Sequence, residues 1–349
     1  MTQSQLPVER RVRGIPVAGV LERYPLADPF DALHVEPVSQ GLLNRGLRLT
    51  GPHGSWFLKQ YLDDVGHASG SAIAAQHRVI AALREHGLPT TPPLAARDGR
   101  SSVLLRGRRY ALFPWVEGAH RTGRSLDHAQ CADLGALLGR IHSVLAALHP
   151  PVEQPAAVPS ADPDDTERTI ADLLERSRRR DPQQPFDTLA RQRLRERRTL
   201  LAAHRHRRPG PADAPPTGWV HGDFHPLNLL YRGAAPVAVL DWDRLGLKPR
   251  AEEAVRAATL FFHHPETGVL DLTRLRHYAR GYREASGSSP EELAAGVHRV
   301  WWERLNDFWM LRWRYQRRDE RADPLFPAAA AQTVWWCAEY GRVLDACVD

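Results

Sequence analysis

Apolar positions alternate in some stretches and recur every third or fourth residue in others, and this change of period divides the chain. Strand-like runs fall at His34–Val38, Gly46–Thr50, Trp56–Tyr61, Val103–Leu105 and Tyr110–Phe113. Gly41 to Asn44 interrupts the first run, which Gly46 resumes, and Gly51-Pro52-His53-Gly54 forms a turn. Between the strands, Ser71–His86 is predicted as a helix. Ile73, Ile80 and Leu83 set its buried face, and Gly87 stands just past its end. The predicted order is strand, strand, helix, strand, strand, with Arg106-Gly107-Arg108 turning the last hairpin.

Phe113-Pro114-Trp115-Val116-Glu117-Gly118 leaves this sheet as a short apolar segment between a proline and a glycine. Helical periods dominate beyond it. Cys131, Leu134, Leu138, Ile141, Leu145 and Leu148 make one amphipathic stripe. Residues 150–216 read as an inserted helical subdomain or flap, with proline-rich loops around exposed, charged helices at Thr166–Arg179 and Leu189–His206. Two short strands, Leu229–Tyr231 and Val237–Leu240, then form a hairpin within the helical part. The expected division is 1–113 as an N-terminal lobe, 114–118 as a hinge and 119–349 as a helical C-terminal lobe. The fold class is therefore α+β, with a small antiparallel sheet followed by mainly helical structure.

Composition narrows the classes. A chain of 349 residues suits two lobes. Met1–Gly14 is polar and arginine-bearing, unlike a signal peptide, and no uninterrupted apolar run approaches the roughly 18 residues of a membrane span. Three cysteines without metal spacing point to a reducing cytoplasm and no zinc site. The net charge is +6, and Lys59 and Lys248 are the only lysines. Arginine clusters at 176–180, 191–198 and 205–208 carry interspersed acids and no interleaved aromatic residues. They read as solvated helix faces rather than a nucleic-acid patch.

The chemistry concentrates in Val220-His221-Gly222-Asp223-Phe224-His225-Pro226-Leu227-Asn228, followed by Leu240-Asp241-Trp242-Asp243. Asp223 and Asn228 are five apart, and the hairpin joins Asn228 to Asp241. Phosphoryl transfer asks for a carboxylate beside the acceptor hydroxyl and for oxygen ligands on a hard cation. Asp223 fits the first need; Asn228 and Asp241 fit the second, with Mg²⁺ as the ion. His221 is expected to brace the loop. Asp243, alternating with Asp241 on an extended segment, is expected to point to the opposite face.

These residues resemble the aminoglycoside phosphotransferase, choline kinase and type II homoserine kinase superfamily. The resemblance rests on HGDFHPLN with LDWD and covers roughly residues 35 to 260. It implies a bilobal, protein-kinase-like fold and the cofactors ATP and Mg²⁺. It also implies a nucleotide loop at Gly41 and Asn44, a phosphate-binding Lys59, and an adenine-binding hinge at Pro114, Trp115 and Val116. Kinase-like folds pair the strand lysine with a helix glutamate, and that position falls near Gln76. Glu252 takes the place of the family's usual aspartate after the metal loop and is expected to support that loop.

The expected activity is transfer of the ATP γ-phosphoryl group to a hydroxyl of a small molecule: an amino sugar, antibiotic, sugar or amino-alcohol. Resistance and biosynthetic roles both fit. Trp301, Trp302, Glu303 and Asp307 belong to an aromatic and acidic belt that reads as core or as acceptor site. A serine/threonine protein kinase of the same fold and a nucleotide-binding pseudoenzyme are the alternatives. No membrane partner is expected, and the sequence leaves oligomeric state open.

Overall fold

The computed structural model describes residues 11–12, 14–27, 32–38, 45–62, 69–150 and 159–349. The chain forms two compact units, Met1–His120 with Leu227–Asp243, and Arg121–Pro226 with Arg244–Asp349.

The first unit opens with β1 (Arg11–Val12), β2 (Ile15–Pro16) and α1 (Val17–Leu21). A five-stranded antiparallel sheet follows, built from β3 (His34–Val38), β4 (Arg45–Gly51), β5 (Gly54–Tyr61), β6 (Val103–Leu105) and β7 (Arg108–Pro114) in the order β3-β4-β5-β7-β6. Its helix α2 (Gly70–Glu85) starts where the Ser69 hydroxyl accepts from Ala72 N–H. Three strands of this sheet precede α2, one more than expected. His34 pairs with Thr50 and Val38 with Gly46, so the chain reverses between residues 38 and 46 instead of resuming one strand. The predicted nucleotide loop at Gly41 and Asn44 lies outside the described residues.

Cross-strand rows explain the two faces. Leu47, Leu58 and Leu112 are opposed in one row and packed against Ile15, Val17, Val20 and Tyr24, an N-terminal layer that the alternation pattern did not reveal. Each such leucine gains about 1.5–3 kcal/mol over exposure. The adjacent row holds Gly46, Lys59 and Ala111, and a Cβ at Gly46 would lie 2.4 Å from the Phe57 ring. The hairpin of β9 (Leu229–Arg232) and β10 (Ala235–Val239), expected within the helical part, groups with this first unit. Backbone bonds hold it there: Val239 N–H to Pro89 O at 2.7 Å, and Ala119 and Tyr231 exchanging bonds of 2.9 Å.

The second unit is mainly helical. It contains α3 (His128–Leu148), α4 (Pro163–Arg179), α5 (Pro185–His204), α6 (Arg250–Phe261), α7 (Leu272–Ser286), α8 (Pro290–Asn306), α9 (Trp309–Arg312), α10 (Phe326–Ala338) and α11 (Tyr340–Val348). Between α5 and α6, β8 (Thr217–Val220) pairs antiparallel with β11 (Gly246–Pro249). The inserted helices α4 and α5, expected to be exposed, bury Ile170, Leu173, Leu174, Ala190, Leu194 and Leu201. Buried Asp187 on α5 meets buried Arg314 at 3.3 Å, tying the insert to the C-terminal helices. Among the described residues α3 is long and apolar enough to cross a membrane, with mean hydropathy 1.4, contrary to the expectation above. Its apolar face is buried against α7 and neighbouring elements of this unit.

That packing depends on small residues. A Cβ at Gly135 would lie 2.0 Å from Tyr278 O, and one at Gly281 would lie 2.1 Å from Ala132 O. Gly135→Ala is expected to cost at least about 1–3 kcal/mol by overpacking. A urea midpoint equal to that of the parent chain would refute so close an approach.

Candidate active site

In the first unit the site is built around a buried ammonium. Lys59, 7% exposed, has Nζ 2.9 Å from Asp241 Oδ1 and 2.7 Å from Asp243 Oδ1. Burial alone would favour the neutral amine, but the two carboxylates outweigh it and hold the ammonium well above its ordinary pKa. Asp243 therefore shares a face with Asp241, against the expectation from alternation. Asp241 adopts φ +56° and Trp242–Arg244 forms a tight 3-10 turn, so strand periodicity ends before Asp243.

Gln76 is not the partner of Lys59. Its Nε2 donates to the Asp243 backbone oxygen at 3.2 Å, so it braces the turn that carries the second carboxylate. Neighbouring His77 is buried and bonded to Tyr61 Oη at 2.9 Å and Ser101 Oγ at 2.8 Å. Burial, then the Lys59 charge, lower its pKa to about 4. The hairpin register brings Asn228 beside the start of the Asp241 segment, where Leu240 N–H donates to Asn228 O at 2.8 Å. Asp241, Asp243 and the Asn228 amide oxygen are hard donors that fit Mg²⁺.

The hinge segment belongs to the same unit. Pro114 ends β7, and Trp115 N–H donates to Ser55 O at 2.9 Å, so that donor is engaged within the sheet. Arg48 lies 4.4 Å above the Trp115 ring and pairs with Glu117 at 3.0 Å. Val116 stands between these two braced residues.

In the second unit the H-G-D loop hangs on one buried glutamate. Glu253 accepts from His221 N–H at 3.0 Å, from Gly222 N–H, and pairs with His142 Nε2 at 2.9 Å. Burial would raise its pKa, but these partners, His142 first, keep it below the usual value. The expected support at Glu252 is thus corrected by one residue. On α6 Glu253 faces inward, whereas Glu252 turns to Arg299. His221 is fully buried, and its Nδ1 accepts from Asp223 N–H at 3.1 Å. Gly222 has φ +84°, and a Cβ there would lie 2.1 Å from Arg244 O, which excludes a side chain.

Two guanidinium groups and an imidazole surround Asp223. Arg256 Nη2 is 3.3 Å from Oδ1, while His225 Nε2 at 3.7 Å and Arg244 Nε at 3.8 Å face Oδ2. Burial pushes this carboxyl up, but the hydrogen bond and charge of His225, then Arg244 and Arg256, hold it well below the usual carboxylate range. Sequence reasoning assigned nothing to Glu253, Arg244 or Arg256 in this unit. His225 was visible inside the loop motif; the two arginines lie outside any local pattern.

The aromatic belt divides. Trp301 and Trp302 are core residues: Trp301 packs against His204, His298 and Tyr340, and Trp302 Nε1 donates to Ala161 O at 3.0 Å. Glu303 is exposed, and Asp307 lines a cavity. The arginine clusters are largely ion-paired, as in Arg176–Asp172, Arg179–Glu175, Arg198–Glu167 and Arg208–Asp162. Exposed pairs of this kind contribute about 0–1 kcal/mol each and leave little bare positive surface.

A two-unit α+β chain with a strand lysine and an H-G-D loop defines a small-molecule phosphotransferase of the protein-kinase-like fold. The chain belongs to the phosphotransferase enzyme family (APH), whose sequence profile matches residues 34–287. It is 24% identical over 289 residues to the homoserine kinase of Janthinobacterium sp. (strain Marseille), covering 79% of this chain and 81% of that one. Among solved structures it resembles an aminoglycoside phosphotransferase from Alicyclobacillus acidocaldarius, with TM-score 0.65, 15% identity and coverage of 99% and 97%. It also resembles spectinomycin phosphotransferase in complex with ADP and spectinomycin, with TM-score 0.61, 14% identity and coverage of 88% and 94%.

Replacing Glu253 by Gln is expected to speed amide exchange at His221 and Gly222, because it removes the acceptor charge from both bonds. Glu252→Gln should leave those two amides unchanged. Equal exchange in the two variants would contradict the assignment.

Proposed function

We propose that this chain transfers the γ-phosphoryl group of ATP, with Mg²⁺, to a hydroxyl of a small molecule. The observation that carries the reading is the Lys59 ammonium held between Asp241 and Asp243, with Asn228 at the adjoining hairpin end. The ADP complex of spectinomycin phosphotransferase supports a nucleotide as the donor.

Each residue then has a task. Lys59 releases its carboxylates in part and holds phosphate oxygens as a compact point charge. Asp241 and Asn228 hold the metal, and Asp243 keeps Lys59 oriented. Bound there, Mg²⁺ supplies neutralisation of the charge that develops on the transferring group. Adenine is read by the backbone of Val116, since Trp115 N–H is engaged by Ser55.

Asp223 receives the acceptor hydroxyl. Its strongly lowered pKa makes it a weak base, so it orients the hydroxyl first and takes the proton late. The new O–P bond forms as the bond from the γ-phosphorus to the ADP oxygen breaks, and the proton passes to the Asp223 carboxylate. Ground-state alignment of this kind tolerates a weak base, because a loose phosphoryl transition state asks little proton transfer before bond cleavage.

Asp223→Asn is expected to lower turnover by about a hundredfold to ten-thousandfold, with affinity for Mg·ATP unchanged. The measurement is ADP release across a panel of hydroxyl acceptors: aminoglycosides, hexoses, amino-alcohols, hydroxy acids and nucleosides. Full activity in the variant would remove Asp223 from the mechanism, and a parent chain that binds no Mg·ATP would overturn the reading.

A further inference from the structure

Lys59 is held from one side. The carboxylates that meet its ammonium, Asp241 at 2.9 Å and Asp243 at 2.7 Å, stand two residues apart on one turn. Helix α2 offers it no acid: across Gly70–Glu85 the one acidic residue is Glu85, the last of the helix. Gln76, near the place where a helix glutamate would stand, spends its amide on the Asp243 backbone oxygen at 3.2 Å.

The other neighbours give no second anchor. The Tyr61 ring centroid lies 5.0 Å from Nζ and attracts it through its face alone. His77 has both ring nitrogens bonded, to Tyr61 Oη and Ser101 Oγ. Lys59 is buried, so an ammonium that left the two aspartates needs another anion in their place.

The same aspartates are the hard donors that fit a divalent ion. Asp241 Oδ1 and Asp243 Oδ1 each accept from Nζ, so ammonium and metal draw on the same oxygens. A dication set beside a buried ammonium meets like-charge repulsion, and low-dielectric surroundings strengthen it. An anion that draws the ammonium off the aspartates relieves the conflict and leaves them to the metal. Phosphate oxygens suit this task, because the lysine stem is flexible and its head is a point charge with three donors.

We infer that, when no nucleotide is bound, the Lys59 ammonium fills the cation position of the Asp241–Asp243 turn, and that Mg²⁺ enters only with a nucleotide whose phosphates draw the ammonium away. The inference rests on the phosphotransferase reading for the nucleotide, and on the shared carboxylates alone for the exclusion of free metal. It gives Gln76 a consequence. With the holder of the lysine on the metal turn rather than on α2, lysine and metal compete for one pair of aspartates. Free divalent ions are thereby kept out until the phosphates they must neutralise are present.

The chain suits a direct test, because Lys59 and Lys248 are its only lysines. With ¹³C at lysine Cε, NMR of the full chain shows two signals, of which exposed Lys248 is the reference. ADP without metal is expected to shift the Lys59 signal and leave that of Lys248. Mg²⁺ alone, at the concentration that saturates the ADP complex, is expected to shift neither. A shift of the Lys59 signal by Mg²⁺ alone overturns the inference. Calorimetry then titrates Mg²⁺ without nucleotide. Lys59→Gln is expected to bind it about tenfold to a hundredfold more tightly than the parent chain, and Lys248→Gln to match the parent. Equal affinity in the parent and Lys59→Gln overturns the inference, while binding of Mg·ADP by the parent keeps the kinase reading intact. A parent chain that binds neither ADP nor Mg·ADP overturns the kinase reading, and with it the part given to the nucleotide. The NMR titration uses the parent chain alone, so it decides the matter even where Lys59→Gln does not fold.

Discussion

The first unit depends on one interaction, the Lys59 ammonium between two aspartates. A buried lysine with no partner would lose its proton or leave the interior. Two carboxylates within 3 Å reverse that balance. The same contact fastens the end of the β9–β10 hairpin to a strand some 180 residues earlier in the chain. It draws on the left-handed Asp241 and the turn that follows. Lysine serves here where arginine serves almost everywhere else in this chain, as a compact point charge shared by two carboxylates.

The second unit repeats the principle with opposite sign. There the buried group is a carboxylate, Glu253, and the partners are two backbone N–H groups and His142. It fixes the backbone of the loop whose next residue is Asp223. The loop's own carboxylate then faces His225, Arg244 and Arg256, which hold its pKa well below the usual carboxylate range. A base made this weak suits a reaction that asks mainly for alignment of the acceptor.

Arginine has three fates in this protein. On α4 and α5 it pairs with acids one turn away and keeps the surface soluble at little gain in stability. At Arg197 and Arg314 it is buried and bonded, joining the inserted helices to the C-terminal ones. At Arg304 the side chain is half-buried, with Nε and Nη2 unbonded among the described residues. Composition treats these alike, since all contribute one charge to the same total.

Much of this was legible before any coordinates. The strands, the α2 helix, the sheet-then-helices order and the family followed from periodicity and from HGDFHPLN with LDWD, because those patterns are local and their chemistry is dictated by spacing. Lys59 stood out for the same reason, as a lysine in an arginine chain. The tertiary structure alone decided the rest. Glu253 rather than Glu252 holds the loop because the rotation of α6 sets which of two adjacent glutamates faces inward. Asp243 meets Lys59 because a positive φ breaks the alternation that sequence reasoning assumes. Trp301 and Trp302 are core while Asp307 lines a cavity because four residues on one helix end divide between two sides. Long-range packing chooses between neighbours that a linear pattern cannot tell apart, since a single turn of backbone changes their partners and leaves their spacing the same.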